Sequence, residues 1–220
     1  SIKGELAGTI DPARKLWLER RKRWEGPIVQ MLREEFDGKI VAVNKRYRDP
    51  AHPHRAAELD FEWEGEGTKV QNGEIKTVNL FAYGEKQGWG EPGTSNVPDY
   101  IASQNMWGLG VTGRDVCITA AMTGLDDMHF YRIERDEEVI KWMFEEADNF
   151  WFNHVLAGIP PNPINMEDMY RFYAKFNGKP VEIDDPTMKM LRDLQEIRVS
   201  LQAFKDDEED IKFKIADYVR

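Results

Sequence analysis

Residues 58–79, ELDFEWEGEGTKVQNGEIKTVN, contain the pattern that decides the fold. Leu59, Phe61 and Trp63 alternate with acidic residues, which is the period-two pattern of a strand buried on one face. A glycine-rich turn follows, and residues 74–81, EIKTVNLF, predict a second strand. We expect the two strands to pair as a hairpin, with the three apolar side chains on one face.

The polar face of this hairpin carries the candidate chemistry. Successive side chains of a strand point to opposite faces, so Glu74 and Lys76 emerge together while Ile75 turns into the core. Pairing of the strands would bring Asp60 alongside them. Two carboxylates in one place repel each other unless a cation lies between them, and Mg²⁺ accepts carboxylate, carbonyl and water ligands. With the Lys76 ammonium placed to orient or deprotonate a water, the set suits phosphodiester hydrolysis.

The plain alternative is an amphipathic hairpin whose acidic and basic residues simply face solvent. The rest of the chain predicts alternating helices and strands around a central sheet, an α/β or α+β fold. The Asp11-Pro12 pair is a typical helix start, and that helix is expected to be kinked or broken near Pro27. The predicted strands are 39–48, 56–64, 74–81, 115–123 and 128–135; the helices are 12–36, 99–111, 136–157, 166–176 and 185–218.

Three regions follow from this pattern: a core over residues 1–157, a proline-rich linker over 158–165 and a helical C-terminal extension over 166–220. Within the last core helix, Trp142 and Phe150 are expected in the core by their spacing. Apolar residues recur every three or four positions along the long C-terminal helix, from Met188 to Phe204.

Composition restricts the class of protein. Hydrophobic residues make up 41% of the 220, which is typical of a folded chain. No apolar run is long enough to span a membrane, no secretory signal precedes the first charges, and a single cysteine excludes an intramolecular disulfide framework. We therefore expect a soluble, cytoplasmic protein. The net charge of −10 argues weakly against nucleic acid, but residues 14–23, RKLWLERRKR, form a basic run.

Further motifs occur in a fixed order around the hairpin. With them, the chain resembles the YqaJ-type phage recombination nucleases, relatives of lambda exonuclease within the PD-(D/E)xK nuclease superfamily. The resemblance covers residues 14–163. The motifs that carry it are RKRWEGPIVQML (21–32), HPHRAAELDFEW (52–63), NGEIKTVN (72–79), VPDYIASQNMWGLGVTG (97–113), FYRIERDEEVI (130–140) and FWFNHVLAGIPPNP (150–163).

The resemblance implies a restriction-endonuclease-like core and assigns metal ligands. Asp60, Glu74 and the carbonyl of Ile75 would hold Mg²⁺, for which Mn²⁺ can substitute. Glu25 would be the distal acidic ligand of a second metal or a water; without the resemblance it is an ordinary helix glutamate. Leu59 occupies the position where the superfamily name has proline, a replacement found in many branches.

The resemblance also assigns the remaining site residues. Lys76 would activate or position the nucleophilic water, and Gln104 would brace the site or the scissile phosphate; the alternative for Gln104 is a helix-surface amide. The basic run and Tyr100 are the candidate DNA contacts, although a solvated helix face would carry the same charges as the basic run. The DNA-binding candidates are Arg20, Arg21, Arg23 and Tyr100.

The function implied is a Mg²⁺-dependent deoxyribonuclease that resects double-stranded DNA from an end in the 5′-to-3′ direction. The resemblance further implies a ring-shaped homotrimer, cooperation with a single-strand annealing protein, and a phage or prophage origin in a bacterial cytoplasm. Family members carry a Gly-Ser-Asp element ahead of the Glu25 helix that holds the DNA end. Here SIKGELAGTIDPARK stands there, so that element is expected to be trimmed or absent.

Three alternatives stay open. The chain could be a restriction-type or nicking endonuclease of the same superfamily, which would cut closed circular DNA. It could be a non-catalytic DNA-binding or assembly module, which would take up no metal. It could also be a structural protein of a phage particle, in which the ordered acidic residues are coincidental.

Overall fold

A computed structural model describes residues 12–65, 67–124, 126–172, 178 and 180–219. The chain forms two compact units that divide between Asn162 and Pro163, a point inside the predicted linker. None of the helices in the described part of the chain combines the length and the hydrophobicity that a membrane span requires.

The first unit is built on a five-stranded mixed sheet whose spatial order follows the sequence order. The third and fourth strands along the chain are parallel, and every other neighbouring pair is antiparallel. A parallel pair needs a crossover connection, which here contains a long loop and a helix. The strands are β1 (Lys39–Arg48), β2 (Ala56–Glu64), β3 (Gln71–Val78), β4 (Val116–Thr123) and β5 (Asp127–Glu134).

Helices complete both units. Those of the first unit are α1 (Pro12–Lys22), α2 (Glu25–Glu35), α3 (Asp99–Thr112) and α4 (Glu137–Phe150), with a π-helical turn at Trp151–Leu156 and short 3-10 turns at Leu80–Ala82 and Glu85–Gln87. The second unit contains α5 (Met166–Phe172) and α6 (Asp185–Tyr218). The predicted helix over 166–176 is thus described only in part, because residues 173–177 lie outside the described residues.

Helices cover both faces of the sheet. Helix α2 packs Ile28 and Leu32, both fully buried, against one face, and α3 with α4 packs against the other. The predicted fold class is therefore confirmed as α+β, with a mixed sheet flanked by helices and a C-terminal helical extension. The sheet residues that meet α2 include Phe61, Trp63, Ile75, Ile118 and Met122; those that meet α3 and α4 include Cys117, Ala121, Tyr131 and Ile133.

The first predicted helix is broken, but not at Pro27. Helix α1 ends at Lys22 and α2 begins at Glu25, so the break falls at Arg23 and Trp24. Pro27 lies in the first turn of α2, where its missing N–H would have no intrahelical acceptor. A proline that looks like a helix breaker therefore occupies a position near a helix start.

Two further boundaries differ from the prediction. Strand β3 begins at Gln71 and ends at Val78, three residues before the predicted positions, because Asn79 caps the following 3-10 turn by accepting the Phe81 N–H. Helix α4 ends at Phe150 and gives way to the π-helical turn.

The expectation that Trp142 and Phe150 are core residues is wrong: they are 62% and 51% exposed. The buried stripe of α4 is instead centred on Ile140 and Phe144. Trp142 lies two positions from each of these, which turns it to another side of the helix.

Candidate active site

The candidate site begins where β2 and β3 diverge. The backbone pairing runs from Trp63 opposite Gln71 to Phe61 opposite Gly73 and stops there. One residue further along β2, the Asp60 side chain takes over, because its Oδ2 accepts a hydrogen bond from the Ile75 N–H at 2.8 Å. The carboxylate is thereby fixed between the two strands.

The last paired position before the divergence is closely packed. The Phe61 ring lies directly over Gly73, and a Cβ on Gly73 would fall 2.3–2.4 Å from three of its ring atoms. Only glycine leaves room for this ring, which belongs to the buried cluster under α2. The strand-to-strand contact therefore depends on Gly73, next to the catalytic candidate Glu74.

The predicted common face of Leu59, Phe61 and Trp63 is wrong. Phe61 and Trp63 pack on the α2 side, whereas Leu59 lies against α3, with its Cδ2 3.4 Å from the position of a Cβ on Gly108. The regular alternation is interrupted at Asp60. Opposite it on β1, Asn44 has a left-handed φ of 50°, so the irregularity involves both strands.

Glu74, Lys76 and Gln104 form a closed set of hydrogen bonds. The Lys76 Nζ donates to Glu74 Oε1 at 2.5 Å and to Gln104 Oε1 at 2.7 Å. The Gln104 Nε2 in turn donates to Glu74 Oε1 at 2.7 Å. Glu74 and Lys76 share a face of β3, and the crossover helix α3 carries Gln104 over that face. The structure thus brings together all three residues.

Burial raises the pKa of both carboxyl groups. The pKa of Glu74 is raised to about 7 by burial and then by the charge of Asp60, against the lowering effect of Lys76. The pKa of Asp60 is raised by burial, which the Ile75 N–H, the Lys76 charge and a hydrogen bond with Glu74 oppose. A cation beside the carboxylates would favour their charged forms.

Glu25 lies close enough to sense the site. It is the first residue of α2 and half-buried, and its pKa is raised by burial and then by the charge of Asp60. Among the residues that the structure describes, however, no three His, Cys, Asp or Glu side chains are grouped so as to hold one metal ion. The two carboxylates that hydrogen bonds hold at the site, and that could bind a metal ion directly, are those of Asp60 and Glu74.

These donors fit a hard divalent cation. Mg²⁺ is commonly bound by one or two carboxylates and completes its octahedron with waters and substrate phosphates. The pair formed by Asp60 and Glu74 matches that requirement. Its oxygen donors suit Mg²⁺, whereas softer transition metals prefer nitrogen or sulfur donors. Ile75 directs its side chain into the core and its N–H to Asp60.

An open groove of about 1040 Å³ runs beside the site. Its lining includes Glu25 and Lys76 together with Arg20, Arg21 and Tyr100, and Tyr100 is 69% exposed. Arg23, the remaining DNA-binding candidate, is exposed but is not part of this lining.

The Arg21 side chain forms hydrogen bonds within the protein. Its Nε donates to Thr77 Oγ1 at 3.0 Å and its Nη2 donates to the Thr77 carbonyl oxygen. Helix α1 is thereby tied to the end of β3, a role that the sequence pattern did not indicate. Arg20, from the same basic run, also lines the groove.

Beneath the site lies a second polar layer that sequence reasoning missed. Asn105 donates to Thr119 Oγ1 at 2.6 Å, and the Cys117 Sγ donates to Asn105 Oδ1 at 3.4 Å. Burial, then the charges of Glu74 and Asp60, raises the pKa of Cys117 far above its ordinary value, so its thiol stays protonated. Asn105 follows Gln104 directly and is 2% exposed, and the sequence pattern gives no signal of this burial.

The sequence matches no model of a protein family and no curated protein. Among solved structures, the crystal structure of SSO0001 is similar at 16% identity, with a TM-score of 0.40 over 77% of this chain and 73% of that chain.

Proposed function

We propose that this chain is a divalent-metal-dependent deoxyribonuclease that hydrolyses phosphodiester bonds of double-stranded DNA. The observation that carries the proposal is the convergence of Asp60, Glu74, Lys76 and Gln104 at the divergence of β2 and β3. The resemblance to the YqaJ-type nucleases supplies the finer expectations: restriction-endonuclease-like core, 5′-to-3′ resection from an end, homotrimer, annealing-protein partner and cytoplasmic location.

Asp60 and Glu74 would hold Mg²⁺ or Mn²⁺, with the Ile75 carbonyl as a further ligand and Glu25 as a distal one. A cation held by these residues would polarise the phosphate and lower the pKa of water. The Ile75 N–H holds Asp60 in place, and burial limits the motion of Glu74. The protein therefore supplies a prearranged pair of carboxylates.

Lys76 has a role that does not depend on metal binding. Its ammonium is held between Glu74 and Gln104, so its position is fixed before substrate arrives. A positive charge fixed in a partly buried site stabilises the negative charge that develops on a phosphate during hydrolysis. Gln104 orients both partners, because its carbonyl accepts from Lys76 while its amide donates to Glu74.

The groove is the proposed path of the DNA backbone. Arg20 and Arg21 bring positive charge to the groove, which Lys76 also lines, on a chain whose net charge is −10. Such a local basic surface can bind phosphates, and its affinity should fall with rising salt.

The test compares linear and covalently closed circular duplex DNA, with and without a 5′-phosphate, in Mg²⁺ and in EDTA. Mg²⁺-dependent digestion of the linear duplex alone supports the end-resecting nuclease. Cutting of the closed circle would favour the restriction-type or nicking endonuclease. Absence of metal uptake and of any cleavage would favour a non-catalytic DNA-binding or assembly module.

The key variant is Lys76→Ala, with Lys69→Ala, in the exposed turn between β2 and β3, as the matched control. We expect Lys76→Ala to lower hydrolysis at least about a hundredfold, because a fixed charge acts mainly in the chemical step. Its DNA affinity should change less than about threefold, since one cation contributes little to binding of the whole backbone. Near-normal turnover in this variant would contradict the assignment of Lys76.

A further inference from the structure

Helix α6 carries a seam of apolar residues with the spacing of a heptad repeat. Starting at Met190, positions four and three residues apart in strict alternation are apolar along the rest of the helix, with one exception, Glu208. Alternating steps of four and three define the a and d positions of a coiled coil, in which two or more helices bury the seam between them. The seam consists of Met190, Leu194, Ile197, Leu201, Phe204, Glu208, Ile211, Ile215 and Tyr218.

The seam side chains are exposed. Their apolar members range from 42% exposure at Leu194 to 91% at Tyr218, and α6 has no buried residue. The helix has 34 residues, a length of about 51 Å, and its start is capped by Asp184, whose Oδ1 accepts the Thr187 N–H at 2.9 Å. Such a continuous apolar stripe marks an interaction surface.

From the charges that flank the seam, we infer that α6 joins copies of this chain in a parallel coiled coil of three or four helices. In a parallel arrangement each g residue meets the e residue five positions later on the neighbouring helix. Asp193 would then meet Arg198, and Asp207 would meet Lys212, two pairs of opposite charge.

An antiparallel arrangement is disfavoured by the same residues. There, the e positions of the two helices face each other, and the charged e residues are all basic: Arg198, Lys205 and Lys212. Like charges would therefore line one flank. The charges beside the seam therefore favour a parallel over an antiparallel arrangement of α6 copies.

The seam composition indicates the number of helices. Leucine at a with isoleucine at d shifts the preference from two strands to three or four. Leucine is the commonest a residue and isoleucine the commonest d residue here. The a positions hold Leu194, Leu201, Glu208 and Ile215, and the d positions hold Met190, Ile197, Phe204, Ile211 and Tyr218. Glu208 is the single charged a residue, and one polar a position helps to fix register.

Sedimentation equilibrium of the full chain tests the inference. We expect the mass of three or four chains for the unmodified protein and a shift to lower mass for Leu201→Asp. Loss of leucine burial alone should weaken association about thirtyfold per helix. The control is Val199→Asp, the same change on the outward side of the same helix, which should leave the mass unchanged.

A monomer or a dimer for the unmodified protein, or equal behaviour of the two aspartate variants, would overturn the inference. Folding of the first unit is followed separately, because all seven tryptophans precede residue 152. Unchanged tryptophan emission in Leu201→Asp therefore excludes loss of the sheet as the cause.

Orientation is tested by cysteine cross-linking. In a parallel register Leu194→Cys places two thiols side by side, whereas an antiparallel pair would separate them by about 25 Å or more. We expect a covalent dimer on oxidation of Leu194→Cys and none for Val199→Cys; the native Cys117 is buried. Equal cross-linking of the two variants would contradict the parallel seam.

Discussion

Replacement of Glu74 by glutamine should stabilise the metal-free protein at alkaline pH. Glu74 is 5% exposed and its pKa is raised to about 7, chiefly by burial and then by Asp60. The folded chain therefore holds a proton that the unfolded chain releases near pH 4.5. An acid whose pKa is raised on folding makes the protein less stable as pH rises through this window, from about 4.5 to about 7.

The size of the effect follows from the width of the window. At about 1.4 kcal/mol for each pH unit, the Glu74 carboxyl lowers the free energy of unfolding by up to about 3 kcal/mol above pH 7. Glutamine removes this penalty but also weakens the contact with the Lys76 ammonium, which is worth about 1 to 2 kcal/mol. A net gain of about 1 to 2 kcal/mol is therefore expected at pH 8.

Urea unfolding followed by tryptophan emission, in EDTA from pH 4 to 9, measures this gain. The control Glu64→Gln, at the exposed end of β2, should keep the pH dependence of the unmodified protein. Addition of Mg²⁺ at pH 8 should stabilise the unmodified protein and leave Glu74→Gln nearly unaffected. If Glu74→Gln is no more stable than the unmodified protein at pH 8 and has the same pH profile, the buried carboxylate pair does not exist.

Three other changes test the packing and the ion pairs. Gly73→Ala should lower the free energy of unfolding by about 1 to 3 kcal/mol, because its Cβ would collide with the Phe61 ring; an unchanged urea midpoint would refute this contact. Asp148→Asn should cost about 1 to 2 kcal/mol at pH 7, because the Arg55 guanidinium lowers the pKa of Asp148 to about 2. That stability is present above the ordinary pKa of 3.8 and is lost as pH falls towards 2, so variant and unmodified protein should converge in acid, and a constant difference would exclude the pair. Gln104→Ala should slow DNA hydrolysis about tenfold at unchanged DNA affinity, as expected for loss of one orienting hydrogen bond, and a loss of affinity instead would assign the amide to DNA binding.

The sequence predicts which residues meet at the candidate site better than it predicts which face of β2 each apolar side chain occupies. Glu74 and Lys76 share a face because side-chain alternation is a local property of β3. The separation of Leu59 from Phe61 coincides with an irregularity at Asn44, which lies on another strand and adopts a left-handed conformation. Non-local backbone irregularities of this kind leave no mark on the period of a single strand.

The contact between Gln104 and the other two residues depends on topology. Strands β3 and β4 are parallel, so the chain must cross over the sheet between them, and α3 is part of that crossover. Spacing within α3 places Gln104 only on a helix. Its arrival at Glu74 is a consequence of the parallel pairing, which the pattern of either strand alone does not specify.

Helix α6 shows why the period of an apolar pattern matters as much as its existence. The apolar residues first noted along it, beginning at Met188, indicate an amphipathic helix that could pack on any apolar surface. The stricter register beginning at Met190 has a period of 3.5 rather than 3.6 residues, and a stripe with that period stays in contact with another helix over its full length only if the helices supercoil. A sheet surface makes no such demand on the period. The alternation of four and three from Met190 to Tyr218, interrupted only by Glu208 and with complementary charges beside it, is therefore the feature that selects a like helix as the partner.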